Sequence, residues 1–295
     1  MATDLNQIQA LNDFPETPYQ SSEEGIAARI RWIHAQCFQI ELPNKKVIMT
    51  DPFFPQHPRA WKRENTPTLD LNAIGRVDYV TINHSHFDHN ASLPDVFSNH
   101  NPIVICDSIF ARELSAAYQI PEYQIFPIVA GMSYHFDDFD LDTVHGRHND
   151  IGSVCELDGG PMADPNNAAF GPLNSYGCMF NTSFLFTLTN HFRIGFAAGV
   201  DVDRMADAWK KNGPDLLLRQ RLVYARPEEY AKDCLALGGQ MVMPMHHDAS
   251  FEWNADMNAF SNEVNGIFHK AGSFMRMFNP ERLKWYTIRL GIRVE

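Results

Sequence analysis

Residues 77–90 read VDYVTINHSHFDHN, and the rest of the chain is interpreted outward from them. Val77, Tyr79 and Thr81 alternate with Asp78, Val80 and Ile82, and β-branched and aromatic types dominate, so the stretch opens as a strand. It runs into His84-Ser85-His86-Phe87-Asp88-His89, three imidazoles and a carboxylate in six residues. Side chains two apart on extended backbone point the same way, so His84 and His86 are placed to grip one ion. Asp88 and His89 follow as the chain turns and reach toward a second. Donors of this type and density suit zinc first, with manganese or iron as alternatives. An isolated histidine says little, but an H-x-H-x-D-H string directly after an apolar strand is rare.

Composition bounds what surrounds this string. The 295 residues are enough for one large α/β domain or two small ones. Lys+Arg number 24 against 36 Asp+Glu, giving 24 − 36 = −12, and no basic run occurs anywhere. That argues against a nucleic-acid enzyme, whose affinity rests largely on cations neutralising phosphates. A small molecule needs only one or two local charges and stays the expected partner; self-association into a homo-oligomer is left open. The five cysteines (Cys37, Cys106, Cys155, Cys178 and Cys234) are scattered, never C-x-x-C, and read as free thiols of a reducing compartment. The polar, acidic N-terminus does not read as a signal peptide. No apolar run approaches the roughly 18 residues of a membrane helix. A cytoplasmic protein is expected.

Residues 1–28 read as an N-terminal extension, with Leu5, Ile8 and Leu11 at helical spacing before Pro15 and Pro18. Strands are expected at Arg29–His34, Cys37–Leu42 and Lys46–Thr50, the last ending in Asp51-Pro52-Phe53-Phe54-Pro55. Beyond the His string, Ile103–Cys106 reads as a strand and Ser108–Ala117 as a helix capped by Asp107 or Ser108. Phe139–Val144 leads into His145-Gly146-Arg147-His148. The stretch 151–175, dense in Gly, Pro and Asn, is the main candidate for substrate specificity. Tyr176–Leu188 and Phe192–Ala197 resume the strands, and Gly199-Val200-Asp201 sets a carboxylate just past an apolar one. Ala206–Lys211 reads as a short helix and Pro214–Leu218 as a strand. A helix from Pro227, with Glu228 and Glu229 in its first turn, stops at Gly238-Gly239. The strand Gln240–Met245 then delivers His246-His247-Asp248. Phe260–Phe278 reads as amphipathic and Leu283–Val294 as a terminal strand.

From about Ile30 to the C-terminus the chain resembles the metallo-β-lactamase superfamily. The DPFF and S-H-x-D-H forms look most like the branch of L-ascorbate-6-phosphate lactonase and N-acylphosphatidylethanolamine phospholipase D. The resemblance implies a four-layer αββα sandwich over residues 29–295. It implies two divalent metal ions, one on His84, His86 and a histidine near residue 146, the other on Asp88, His89 and His246, with Asp201 bridging. Two histidines compete for the third position. The branch often has proline three residues before this ligand. Aligned that way, His145 takes the proline position and His148 the ligand position, and the other histidine lines the pocket. Asp51 would support the His loop by hydrogen bonds, and His247 would stand behind His246.

Two cations sharing a water make a hydroxide near neutral pH and polarise the attacked oxygen. Asp88 can ligate, orient that hydroxide or pass a proton. The expected reaction is hydrolysis of an ester, lactone, amide or phosphoester in a small molecule. A di-iron oxygenase or oxidase with the same ligands is the alternative, since one fold carries both chemistries. The pocket walls are expected at Phe53–Trp61, 151–175 and Ala249–Trp253.

Overall fold

The computed structural model describes residues 25–58, 60, 68–148, 181–221, 225–248 and 256–290. The proposed helix in the leader, the specificity stretch 151–175, the wall Ala249–Trp253, and Cys155 and Cys178 lie outside these residues. Among the described residues fourteen strands form two seven-stranded sheets. The first is built from β1 (Ile26–His34), β2 (Cys37–Glu41), β3 (Val47–Thr50), β4 (Tyr79–Ile82), β5 (Ile103–Asp107), β6 (Ile125–Ile128) and β14 (Tyr286–Arg289), in the order β14-β1-β2-β3-β4-β5-β6. The second takes β7 (Ser133–His135), β8 (Phe139–Gly146), β9 (Asn181–Leu188), β10 (Arg193–Ala197), β11 (Leu216–Gln220), β12 (Met241–Met245) and β13 (Arg276–Met277), in the order β13-β12-β11-β10-β9-β8-β7. Each sheet is antiparallel in one half and parallel in the other: β3 to β6 run parallel, as do β10 to β13.

Three apolar layers define four layers of structure. Ile30, Phe38, Ile40, Phe184, Phe186, Phe196 and Leu218 fill the space between the sheets. Val80, Ile82 and Val104 instead face helices α1 (Leu93–Phe97) and α2 (Ser108–Tyr118), meeting Leu93, Val96, Phe110 and Leu114. On the far side Leu185, Leu217 and Val242 pack on α3 (Val202–Trp209), α4 (Pro227–Leu237) and α5 (Met257–Lys270), through Met205, Trp209, Tyr230, Cys234 and Phe268. Strands buried on both faces lose the simple apolar–polar alternation, which is why β11 reads as Leu-Leu-Leu. This is the αββα sandwich expected from the resemblance.

Several boundaries differ from the sequence reading. β1 opens at Ile26, inside the stretch assigned to the leader, because it pairs with β14 from Arg289 onward. β6 and β7 were not anticipated: they are short edge strands, and Pro127 sits where an edge tolerates a missing donor. Helix α3 starts at Val202 and not Ala206, placing Met205 and Trp209 one turn apart against the sheet. The stretch Phe260–Phe278 divides, the helix ending at Lys270 and Arg276–Met277 joining β12 as β13. Asp107 caps α2 by accepting from the Ile109 amide.

Two glycines test the local geometry. Gly199 has φ +76°, and a Cβ there would lie 2.4 Å from the Arg147 carbonyl oxygen, where the exits of β8 and β10 touch. Gly266, inside α5, would meet nothing within 4 Å. Gly199→Ala is expected to cost at least about 1–2 kcal/mol, lowering the melting temperature by several degrees. Gly266→Ala should stabilise by about 0.5–1 kcal/mol. Thermal melting of both variants checks the pair.

Candidate metal centre

The carboxyl ends of β3, β4, β8 and β12 reach one rim of the sandwich, and each carries one of the residues singled out above. β3 ends at Thr50, and Asp51 turns with φ +38°, its amide donating to the Thr81 carbonyl at 2.8 Å. The Asp51 carboxylate lies fully buried beneath the His loop. It accepts from the Asn83 amide at 2.8 Å and meets His89 Nδ1 at 2.8 Å.

The His loop is held from three sides. Asn83 Oδ1 takes the His84 Nδ1 proton, leaving Nε2 of that ring to point inward. Asn83 Nδ2 reaches across to Asn181 Oδ1 at 2.9 Å, so one side chain ties the loop to the second sheet. Asn90 Nδ2 donates to the carbonyls of Ser85 and His86 at 2.9 and 2.7 Å, and Tyr118 of α2 donates to Asn90 Oδ1 at 2.6 Å. Asn83, Asn90 and Tyr118 were not among the sequence candidates. Only the neighbourhood of the two asparagines to the His string could have hinted at them.

Two groups of donors result. His84, His86 and His148 offer nitrogens that all lie within 4.8 Å of one another, and so do the donors of Asp88, His89 and His246. His84 Nε2 faces His86 Nδ1 at 3.0 Å, and the rings of His86 and His148 stand 4.6 Å apart. Asp88 Oδ2 lies 3.2 Å from His246 Nε2 and 3.7 Å from His89 Nε2. The two groups adjoin: the centroids of His84 and His89 are 3.9 Å apart. Between the competing histidines the geometry brings in His148. His145 lies in β8 opposite Thr182 and takes Arg204 NH1 on its Nδ1 at 3.0 Å.

Asp201 falls in neither group. It stands at the start of α3 with Oδ1 3.7 Å from Arg147 Nε. His247 packs its ring on Trp32 at 4.4 Å. Phe53 and Phe54, expected to wall a pocket, are fully buried; Phe53 packs under the site against His34, His57 and Phe87. The apolar character of both rings wins over their place in a loop.

Protonation agrees with ligand duty. Burial, then the neighbouring imidazoles, hold His84 well below the ordinary histidine range and His86 at about 3. Burial likewise takes His89 to about 3, against the pull of Asp88. Burial alone would raise Asp88, but the surrounding histidines outweigh it and keep its carboxyl well below the usual range. His246 goes the other way: burial opposes charge, yet the hydrogen bond it donates to Asp88 raises it. Neutral His84, His86 and His89 around an ionised Asp88 are the protonation states a divalent cation requires, and His246 would give up its proton on binding one, so the residues present fit such an ion.

The matches to known proteins agree with this geometry. Residues 29–201, more than half of the chain, match the family described as the beta-lactamase superfamily domain. The chain belongs to the beta-lactamase superfamily. Among curated relatives of this member, a metal-dependent hydrolase from a Polaromonas species is 35% identical over 69 residues, 23% of this chain and 23% of that protein. The alignment thus spans about a quarter of that relative's length. Among solved structures, a metallo hydrolase from the archaeon Ignicoccus hospitalis superposes with a TM-score of 0.66 at 15% identity, covering 90% of this chain and 99% of the other. A diiron beta-hydroxylase from Streptomyces venezuelae superposes with a TM-score of 0.55 at 11% identity, covering 90% and 54%.

The lowered histidines set a pH dependence. Unfolded, His84, His86 and His89 take up protons near 6.5; folded, they refuse them down to about 3 in the two with a value. The metal-stripped fold should therefore lose stability as pH falls from about 6.5 toward 3. In that window His246, raised above 6.5, is protonated in both states and adds no slope. Asp51, raised by burial, acts in the opposite sense to the three histidines. Melting temperatures of the metal-free protein between pH 7 and 4 measure this, and a flat profile would contradict it.

Proposed function

We propose that this chain is a metal-dependent hydrolase that cleaves an ester, lactone, amide or phosphoester bond of a small molecule. It would hold two divalent cations, zinc first, with manganese or iron as alternatives. His84, His86 and His148 would hold one, and Asp88, His89 and His246 the other. The observation that carries this reading is the juxtaposition of two complete three-donor groups with adjoining rings on one rim. Fold similarity and the name of the Polaromonas relative support it further.

When bound, the cations lower the pKa of a shared water and polarise the oxygen under attack. The protein's own part is positional and electrostatic. Asp51 and Asn83 each engage the Nδ1 of a ring, so that Nε2 of His89 and of His84 is presented inward. Asp88, ionised at neutral pH, ligates and can accept a proton, which it would then pass to the leaving group. Among the described residues the cysteines are disfavoured as nucleophiles: burial pushes the thiols of Cys37, Cys106 and Cys234 up, far from thiolate. Asp201 is proposed as the bridging carboxylate because it follows β10 at the exit that touches Arg147, one residue before His148. The likeness of the His loop to the lactonase and phospholipase branch makes lactones and phosphodiesters the first substrates to screen.

Metal analysis of the purified protein is the test. About two zinc or manganese ions per chain, and hydrolysis lost by at least about 100-fold in His86→Ala, are expected. Asp201→Ala with full turnover would remove the bridge from the scheme. Iron with oxygen consumption would move the assignment to redox chemistry, and no metal after reconstitution would end the hydrolase reading. Asp51→Asn should keep the fold and weaken metal binding about 10–100-fold, as measured by chelator competition.

A further inference from the structure

His246 is the one candidate donor delivered by a strained turn, with φ +58°. Its amide donates to the Ala35 carbonyl at 2.9 Å, and Ala35, in the turn between β1 and β2, is itself left-handed at φ +46°. Two side-chain-bearing residues in this region of backbone space persist only where surrounding contacts hold them.

The holding contacts converge on Asp248. Its carboxylate accepts from the Ala35 amide at 3.1 and 3.3 Å, so one residue, Ala35, brackets both ends of His246–Asp248 through its N–H and C=O. His34 Nδ1 lies 2.6 Å and Arg282 NH2 2.7 Å from Asp248 Oδ2. Arg282 stacks over the Trp32 ring at 4.6 Å, and the same ring carries His247 at 4.4 Å. Trp32 Nε1 donates to the Ala35 carbonyl at 3.0 Å, and the Leu283 amide donates to the Trp32 carbonyl at 2.8 Å. Asp248 is 3% exposed, so its charge has little water and depends on these partners.

We propose that Asp248, with His34 and Arg282, is a positioning device for His246. It sets how tightly the Asp88–His89–His246 group binds its cation while touching neither the ion nor a substrate. The inference rests on reading those three residues as ligands. Removing the anchor frees the turn to relax from φ +58° and carries the His246 ring away from Asp88. The other group, on His84, His86 and His148, hangs from β4 and β8 and should be spared.

The test is stepwise zinc titration of the chelator-stripped, full-length protein against a chromophoric competitor, with Asp248→Asn, His246→Ala and the double variant. One of two affinities should fall about 10–100-fold in Asp248→Asn while the other stays within about two-fold. In the His246→Ala background Asp248→Asn should add nothing, because both changes act through one ring. Loss of both affinities together, or additivity in the double variant, would show general destabilisation and overturn the proposal. His246→Ala that binds zinc like the wild type would overturn the ligand reading itself, a result distinguishable from failure of the anchor alone. If Asp248→Asn does not fold, Arg282→Lys provides the second arm. It keeps the charge but loses the planar stack on Trp32, and should weaken the same single affinity by a smaller factor; unchanged affinities there count against the anchor.

Discussion

A carboxylate with no access to water, Asp51, is the constraint around which the site is arranged. It occupies the point where β3 ends and the loop after β4 begins, and it spends one oxygen on the Asn83 backbone and the other on His89. Burial pushes its carboxyl well above the ordinary range, so the ionised form needs positive charge nearby. A cation on His89 would supply it. An ion bound there would therefore favour the ionised state of the group that holds the loop, which would couple binding to folding.

The same logic extends across the rim. Three buried histidines with depressed basicity would, in an ordinary core, be a costly crowd of polar rings. His84 and His89 each give Nδ1 to a protein partner, Asn83 and Asp51, and the remaining nitrogens face the rim, where His84 Nε2 meets His86 Nδ1 at 3.0 Å. Such an arrangement is a poor hydrogen-bond network and a good donor set.

The scaffold explains why these donors can come from such distant parts of the chain. Parallel halves of both sheets send their carboxyl ends toward one rim; Asn83 to Asn181 and His246 to Ala35 link the two sheets there, and Val200 to Arg147 joins the exits of β10 and β8 within the second. Superposition on a metallo hydrolase and on a diiron beta-hydroxylase indicates that this scaffold is compatible with more than one chemistry. Donor identity and pocket, not fold, choose between them.

What the sequence determined by itself was whatever is local. The alternation in 77–82, the density of His84 to His89, Asp51 before Pro52, and the stop at Gly238-Gly239 are short-range signals set by backbone periodicity and turn chemistry, and they sufficed for many strands and helices and for the His loop, while the layers and the full donor set were what the resemblance implied. Edge strands β6 and β7, only four and three residues long, were missed because so few residues carry too little periodicity. The choice of His148 over His145 was suggested by resemblance and reached in space, since both follow one strand and only the path of the backbone past Gly146 separates them. Asp201 beside Arg147, and Asp248 clasped by Ala35 and Arg282, were beyond reading: partners 213 and 34 residues from Asp248 leave no mark on its neighbours in sequence. Only tertiary structure decides such pairs, because burial and charge compensation act on distance in space and not along the chain.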